Sequence, residues 1–225
     1  MAFRISLFFH VSITLFIAAS SCIAMQEAVA HKNVIFDIGG VLLAGDAKEF
    51  AQKLFGQPKA ALYADALKSE AWSNWDKGLC SKEELIAILS ASLVKDEVIQ
   101  FMAAFLSADR QLIAECAERV KTLKAQGYKL FILSNFAQET HALFTQVYKD
   151  FFNLFDDCLF SFQVGCTKPD PMIYALLLKK FSLQAENCVF IDDSEANVIA
   201  ARKCGITSIH YKPGNLEKEL NALGI

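Results

Sequence analysis

Apolar runs of strand length recur along this chain, and the most informative of them end on a polar side chain at a turn. VIFDIGG (34–40), KLFILSN (129–135) and CVFIDD (188–193) share that design. Short, wholly apolar runs between turn residues read as strands buried on both faces, as in a parallel sheet. CLFSFQV (158–164) and TSIHY (207–211) supply two further strand-like runs. Helix-patterned sequence separates them: 108–126 closed by Gly127, 137–148, and a stretch to Lys180 opened by Asp170 and Pro171, a good N-cap and N1 pair. Another helix follows Ser194, taken as its cap. Alternating strands and helices joined by right-handed crossovers predict an α/β fold, a Rossmann-like parallel sheet core.

One stretch breaks the alternation. Residues 46–106 are rich in Ala, Leu, Lys and Glu and contain no strand pattern. Gly56 is placed as a C-cap, and Ser81 with Glu84 forms a capping box ahead of apolar Leu85, Ile88 and Leu89. The expected organisation is therefore a core of residues 25–45 and 107–225 with an inserted helical cap, 46–106. Trp72 and Trp75, three apart on one helical face, fit either the packing of that cap or the lining of a pocket beneath it.

Residues 5–19 are mostly apolar, preceded by Arg4 and followed by small residues. The run is shorter than the roughly 18 apolar residues a membrane span needs. It reads as a signal peptide, residues 1–24, with Ala24 the preferred cleavage end over Ala30. The expectation is an exported protein with no stable membrane span after processing; an uncleaved leader would leave it cytoplasmic or membrane-associated. Six of the seven cysteines follow Ala24, and none forms the CxxC pair expected of a zinc or redox motif. A net charge of -3, with both signs dispersed, excludes the clustered basic face of a nucleic-acid binder.

In open α/β sheets, ligands bind outside the carboxyl ends of the strands. There the topology gathers Asp37, Ser134, Lys168, Asp192 and Asp193 from separated segments. Taken singly, each has a plain reading as a turn, cap or surface residue. Together, three acids, a lysine and a hydroxyl suit a hard divalent cation and a phosphate.

At these residues the chain resembles the haloacid dehalogenase-like hydrolase superfamily. FDIGGVLL, ILSNF, GCTKPDPMIY and VFIDDSEANVIAARKCGI look like its four ordered motifs, over nearly all the chain from Val34 onward. The helical insertion is similar to the cap of the branch containing sugar-phosphate phosphatases and the phosphatase domain of soluble epoxide hydrolase. The resemblance implies a phosphatase of a small phosphate ester working through an aspartyl-phosphate, with Mg²⁺ as cofactor. Asp37 would be the nucleophile and Lys168 the charge-neutralising partner. Ser134 and Asn135 would bind the phosphoryl oxygens. Asp37, Asp192, Asp193 and the Gly39 carbonyl would hold the metal, with Asp193 the preferred direct ligand.

The chain departs from that pattern at Gly39, where such phosphatases usually carry an aspartate serving as general acid and base. The alternative expectation follows from it: a phosphate-binding or regulatory module with little turnover. A third reading, dehalogenation through the same aspartate, would favour an arginine near the site, and none lies close to residue 37 in sequence. His31 and His141 are read as structural or surface histidines.

Overall fold

The computed structural model describes residues 32–45, 47–57, 59–107 and 110–225. The signal-peptide expectation and His31 lie outside them. Five strands form one parallel sheet: β1 (Asn33–Phe36), β2 (Lys129–Ser134), β3 (Asp157–Phe160), β4 (Cys188–Asp192) and β5 (Thr207–His210), in the order β3-β2-β1-β4-β5. The first strand is thus central, hydrogen-bonded to β2 on one side and β4 on the other.

The apolar character of the strands follows from cover on both faces. Val34, Phe36, Leu130, Ile132, Val189 and Ile191 point to one side, into a cluster closed by α6 (Ala114–Ala125), α7 (Gln138–Val147), α8 (Lys149–Phe152) and α12 (Leu216–Ala222). Ile35, Phe131, Leu133, Cys188 and Phe190 point to the other, against α10 (Pro171–Lys180) and α11 (Glu195–Lys203). Alternate residues of one strand therefore serve opposite cores, and a polar substitution on either face would bury an unsatisfied group.

Between β1 and β2 the chain makes α1 (Ala47–Phe55), α2 (Lys59–Ala66), α3 (Glu70–Asp76), α4 (Lys82–Leu89) and α5 (Lys95–Phe105). These helices enclose an aromatic core of their own, with Tyr63, Trp72, Trp75 and Phe101 buried around Leu85 and Val98. Trp72 and Trp75 meet edge-on with centroids 5.1 Å apart, Tyr63 and Phe101 meet tilted at 5.4 Å, and Phe101 stacks on Phe105. The capping box at α4 is present as expected, Ser81 and Glu84 each accepting from the other's backbone. Gly56 takes the left-handed conformation expected of a C-cap residue (φ 65°).

Three local expectations need correction. The helix before Gly127 begins at Ala114, not near residue 108, because residues 110–113 pair with the exit from β1. Ala44 N–H donates to the Gln111 carbonyl (2.8 Å) and Ile113 N–H to that of Leu42 (2.9 Å), so the two connections to the insertion run side by side. The CLFSFQV run is a strand only to Phe160; α9 (Ser161–Val164) follows, with the Gln163 side chain accepting the Phe160 N–H at 3.1 Å. Ser194 stands at the N-cap of α11, but its side chain makes no cap hydrogen bond; its N–H instead donates to Asp192 Oδ1 (2.8 Å).

His141 packs edge-on to Phe160, and burial lowers its pKa, in keeping with a structural role. The six described cysteines are free. Among the described residues, no helix is long and apolar enough to cross a membrane.

Phe101, wholly buried, contacts the rings of Tyr63, Trp72 and Phe105. Phe101→Ala is expected to cost about 3–5 kcal/mol of stability, measured by denaturant unfolding; a loss below about 1 kcal/mol would show that the insertion does not depend on this core.

Candidate active site

The carboxyl ends of β1, β2 and β4 meet at one rim. Asp37 directly follows β1, and its N–H donates to the Ile191 carbonyl of β4 (2.9 Å), which locks its backbone to the sheet. One carboxylate oxygen, Oδ1, accepts from the Ile38 N–H (2.7 Å) and the Ser134 hydroxyl (2.8 Å), and pairs with Lys168 Nζ at 2.8 Å. Oδ2 carries none of these contacts.

Lys168 enters from the loop between α9 and α10 and is buried at 4% exposure. Its ammonium donates to Asp192 Oδ2 (2.7 Å) and to the Leu133 carbonyl (3.1 Å) as well as facing Asp37. The Asn135 side chain fixes its backbone: Nδ2 donates to the Lys168 carbonyl (2.9 Å), and Oδ1 accepts the Lys168 N–H (2.8 Å). The Asn135 amide is thus engaged by the lysine loop.

The two adjacent aspartates differ sharply. Asp192 is wholly buried and accepts from Lys168, the Ser194 N–H and Asn197 Nδ2, the last at 3.0 and 3.1 Å from its two oxygens. Asp193 is exposed at the rim, its carbonyl held by His210 Nε2 at 2.9 Å. Gly40 makes room for it: the residue has φ 71°, and a Cβ there would overlap the Asp193 carboxylate. Gly39 is different. No positive φ requires glycine there, and a Cβ would have no neighbour within 4 Å.

Charge follows from this packing. Burial works against the Lys168 ammonium, but Asp192 and Asp37 outweigh it and hold its pKa above the ordinary lysine value. Burial pushes the Asp37 carboxyl up to about 7, against the pull of Lys168 and with Asp192 and Asp193 adding to the rise. Carboxylate oxygens of Asp37, Asp192 and Asp193 lie within 4.8 Å of one another. Such an all-oxygen set fits Mg²⁺, whose charge would relieve the repulsion among the acids. Asp193 is the exposed member of the set, whereas the buried Asp192 carboxylate accepts from Lys168, Ser194 and Asn197.

A cavity of about 210 Å³ opens over these groups. It is lined by Asp37, Gly39, Ser134, Lys168 and Asp193 of the core and by Trp72, Asp76 and Phe105 of the insertion. Trp72 therefore serves both expected roles, packing the insertion and lining the cavity, whereas Trp75 is held in the insertion and donates to Glu139 Oε2 (3.1 Å).

Two pocket residues escape sequence reasoning. Arg110 lies at the return from the insertion, nearly buried, with its guanidinium 4.6–5.4 Å from the ring centroids of Phe105, Phe50 and Phe144. An arginine thus does reach the site, 73 residues along the chain from Asp37, and its sequence distance was misleading. Asp76 ends α3, where the helix dipole disfavours a negative charge; that misplaced acid, one turn after Trp72, was the available signal. Burial pushes its carboxyl up to about 7 and the Asp37 charge adds to this, against a hydrogen bond from Trp72 and the charge of Lys168.

The haloacid dehalogenase-like hydrolase model matches residues 31–205. The chain belongs to that family. It is therefore a hydrolase by descent, with the five-stranded parallel sheet of its solved relatives. Sesquiterpene phosphatase astK of Aspergillus oryzae is 27% identical over 80% of this chain and 89% of its own length. A phosphorylated carbohydrates phosphatase of Thermotoga maritima is 27% identical over 79% of this chain and 83% of its own. Drimenol cyclase drtB of Aspergillus calidoustus is 28% identical, but the match spans only 36% of that longer protein. The HAD family enzyme bt-2542 of Bacteroides thetaiotaomicron, solved with magnesium and inorganic phosphate, shares the fold at TM-score 0.62 and 23% identity, over 84% of this chain and 98% of that one.

Removing one partner of a buried ion network strands the others. Lys168→Met is expected to lower unfolding free energy by about 3–5 kcal/mol in chemical denaturation without metal. An unchanged midpoint would mean that Asp37 and Asp192 are not held as a lysine-bridged pair.

Proposed function

We propose that the protein is a Mg²⁺-dependent phosphatase of small phosphorylated metabolites, acting through an aspartyl-phosphate on Asp37. The observation that carries this reading is the lysine bridge: one buried ammonium touches both Asp37 and Asp192, with the exposed Asp193 carboxylate within 4.8 Å of both at the same rim. The curated phosphatase relatives support a phosphate ester as substrate.

In this reading Asp37 attacks phosphorus, and Lys168 offsets the charge of nucleophile and phosphoryl group. Ser134 turns its hydroxyl from Asp37 to a phosphoryl oxygen. Asn135 contributes its backbone N–H, because its side chain is occupied in holding Lys168. Asp37, Asp193 and the Gly39 carbonyl would hold the metal, with Asp192 of the same cluster orienting Lys168. When bound, Mg²⁺ supplies positive charge that screens the carboxylates from an anionic substrate. The helical insertion acts as a cap, with Trp72, Phe105 and Arg110 contacting the substrate beyond its phosphate.

Arg110 gives the dehalogenase reading the arginine that it requires. The cluster of Asp37, Asp192 and Asp193 favours the phosphatase, since dehalogenation needs no cation there.

Phosphate release from 4-nitrophenyl phosphate, with and without Mg²⁺, tests the proposal, because this leaving group needs little protonation. Metal-dependent release that falls to the uncatalysed background in Asp37→Asn is the expected result. Folded wild-type protein that binds phosphate and Mg²⁺ without turnover would sink the phosphatase in favour of a binding module. Halide release from a 2-haloacid, independent of metal, would favour the dehalogenase.

A further inference from the structure

Cleavage of an unactivated phosphate ester leaves an alkoxide that needs a proton, and Gly39 has none to give. Nothing else in the turn after β1 occupies the space above Gly39. Among the described residues that line the cavity, the carboxyls are Asp37, Asp193 and Asp76. The first two are claimed by nucleophile and metal in the reading above. Asp76 is left over, and it comes from the helical insertion rather than from any of the core motifs.

Its placement is not that of a loosely hung surface acid. The Asp76 carbonyl accepts from the Ser161 hydroxyl at 2.5 Å, and Ser161 Oγ in turn accepts the Phe136 N–H at 2.8 Å. Phe136 follows directly on Ser134 and Asn135. One buried hydroxyl thus registers Asp76 against the loop that would hold the phosphate. The flanking residues are fastened as well. Trp75 donates to Glu139 Oε2 at 3.1 Å, and the Lys82 N–H donates to the other oxygen of that carboxylate at 3.3 Å. At Gly78 the chain comes so close to α9 that a Cβ would lie 3.2 Å from the Phe162 carbonyl. The side chain accepts a hydrogen bond from Trp72, which also lines the cavity. Burial beside Asp37 and the end of the α3 dipole both favour the neutral acid, the form that can donate.

We propose that Asp76 is the general acid and base of the reaction, supplied by the helical insertion in place of the side chain missing at Gly39. The inference rests on the phosphatase reading. An Asp37 carboxylate oxygen bonds to phosphorus as the ester P–O bond breaks; the electron pair goes to the leaving oxygen, which takes the Asp76 proton and departs as an alcohol. Asp76, now a carboxylate, then accepts a proton from water as that water's oxygen bonds to phosphorus. The P–O bond to Asp37 breaks, its electrons return to the Asp37 carboxylate, and phosphate leaves with both acids in their starting forms. Protonation help of this kind is worth about 10²–10⁴ in rate.

The test compares kcat/KM for two esters of the same shape, phenyl phosphate and 4-nitrophenyl phosphate, with Mg²⁺ present. This parameter reports the steps up to phosphoryl transfer to Asp37. Asp76→Asn is expected to lose about 10²-fold with phenyl phosphate and less than about tenfold with the nitrophenyl ester. Adding Gly39→Asp, for which the backbone and the open space both allow, is expected to restore phenyl phosphate hydrolysis. Asp76→Ser, measured alongside, should show the same selective loss and covers the case in which the Asn variant does not fold. Equal losses on both esters, or none on phenyl phosphate, overturn the inference and leave the phosphatase reading standing. A wild-type protein inert to both esters overturns the two together.

Discussion

The ammonium of Lys168, held between Asp37 and Asp192, is the interaction on which the site depends. Two carboxylates at the ends of adjacent strands would repel in a buried rim, and burial alone already pushes Asp37 upward. The lysine makes their neighbourhood tolerable, and much of the surrounding structure serves to keep it there. Asn135 clamps its backbone, the Leu133 carbonyl accepts a hydrogen bond from its ammonium, and Asn197 and the Ser194 N–H donate to the Asp192 carboxylate. Several motif residues that look like ligand contacts therefore do structural work for one charge.

The two glycines after β1 illustrate how differently the same residue type can be constrained. Gly40 is fixed by geometry, since its conformation and the Asp193 carboxylate leave no room for a Cβ. Gly39 is free on both counts, so neither backbone strain nor packing explains the absence of an acid there. That freedom shifts attention to the insertion, whose buried aromatic core and Ser161 hydrogen bond tie Asp76 to the sheet side of the cavity.

Much was legible in the chain itself. The strand positions, their order of chemistry and the helical insertion follow from apolar runs and turn residues, because a strand buried on both faces tolerates little else. Asp37, Ser134, Lys168, Asp192 and Asp193 could be gathered at one rim because a parallel sheet puts all carboxyl ends on the same side. Less visible were short-range competitions. Gln163 satisfies the Phe160 N–H and turns an apolar run into helix, and the pairing of 42–44 with 110–113 removes a turn from α6.

The sequence by itself determined the sheet, the insertion and the set of core carboxylates, since each is written in local pattern and topology. Only the tertiary structure decided what faces them. Arg110 and Asp76 come from segments with no motif of their own, and their meeting with Asp37 depends on how the helices of the insertion pack and where Ser161 anchors them. Side-chain direction across a cavity is a property of packing between distant segments, and no local pattern records it.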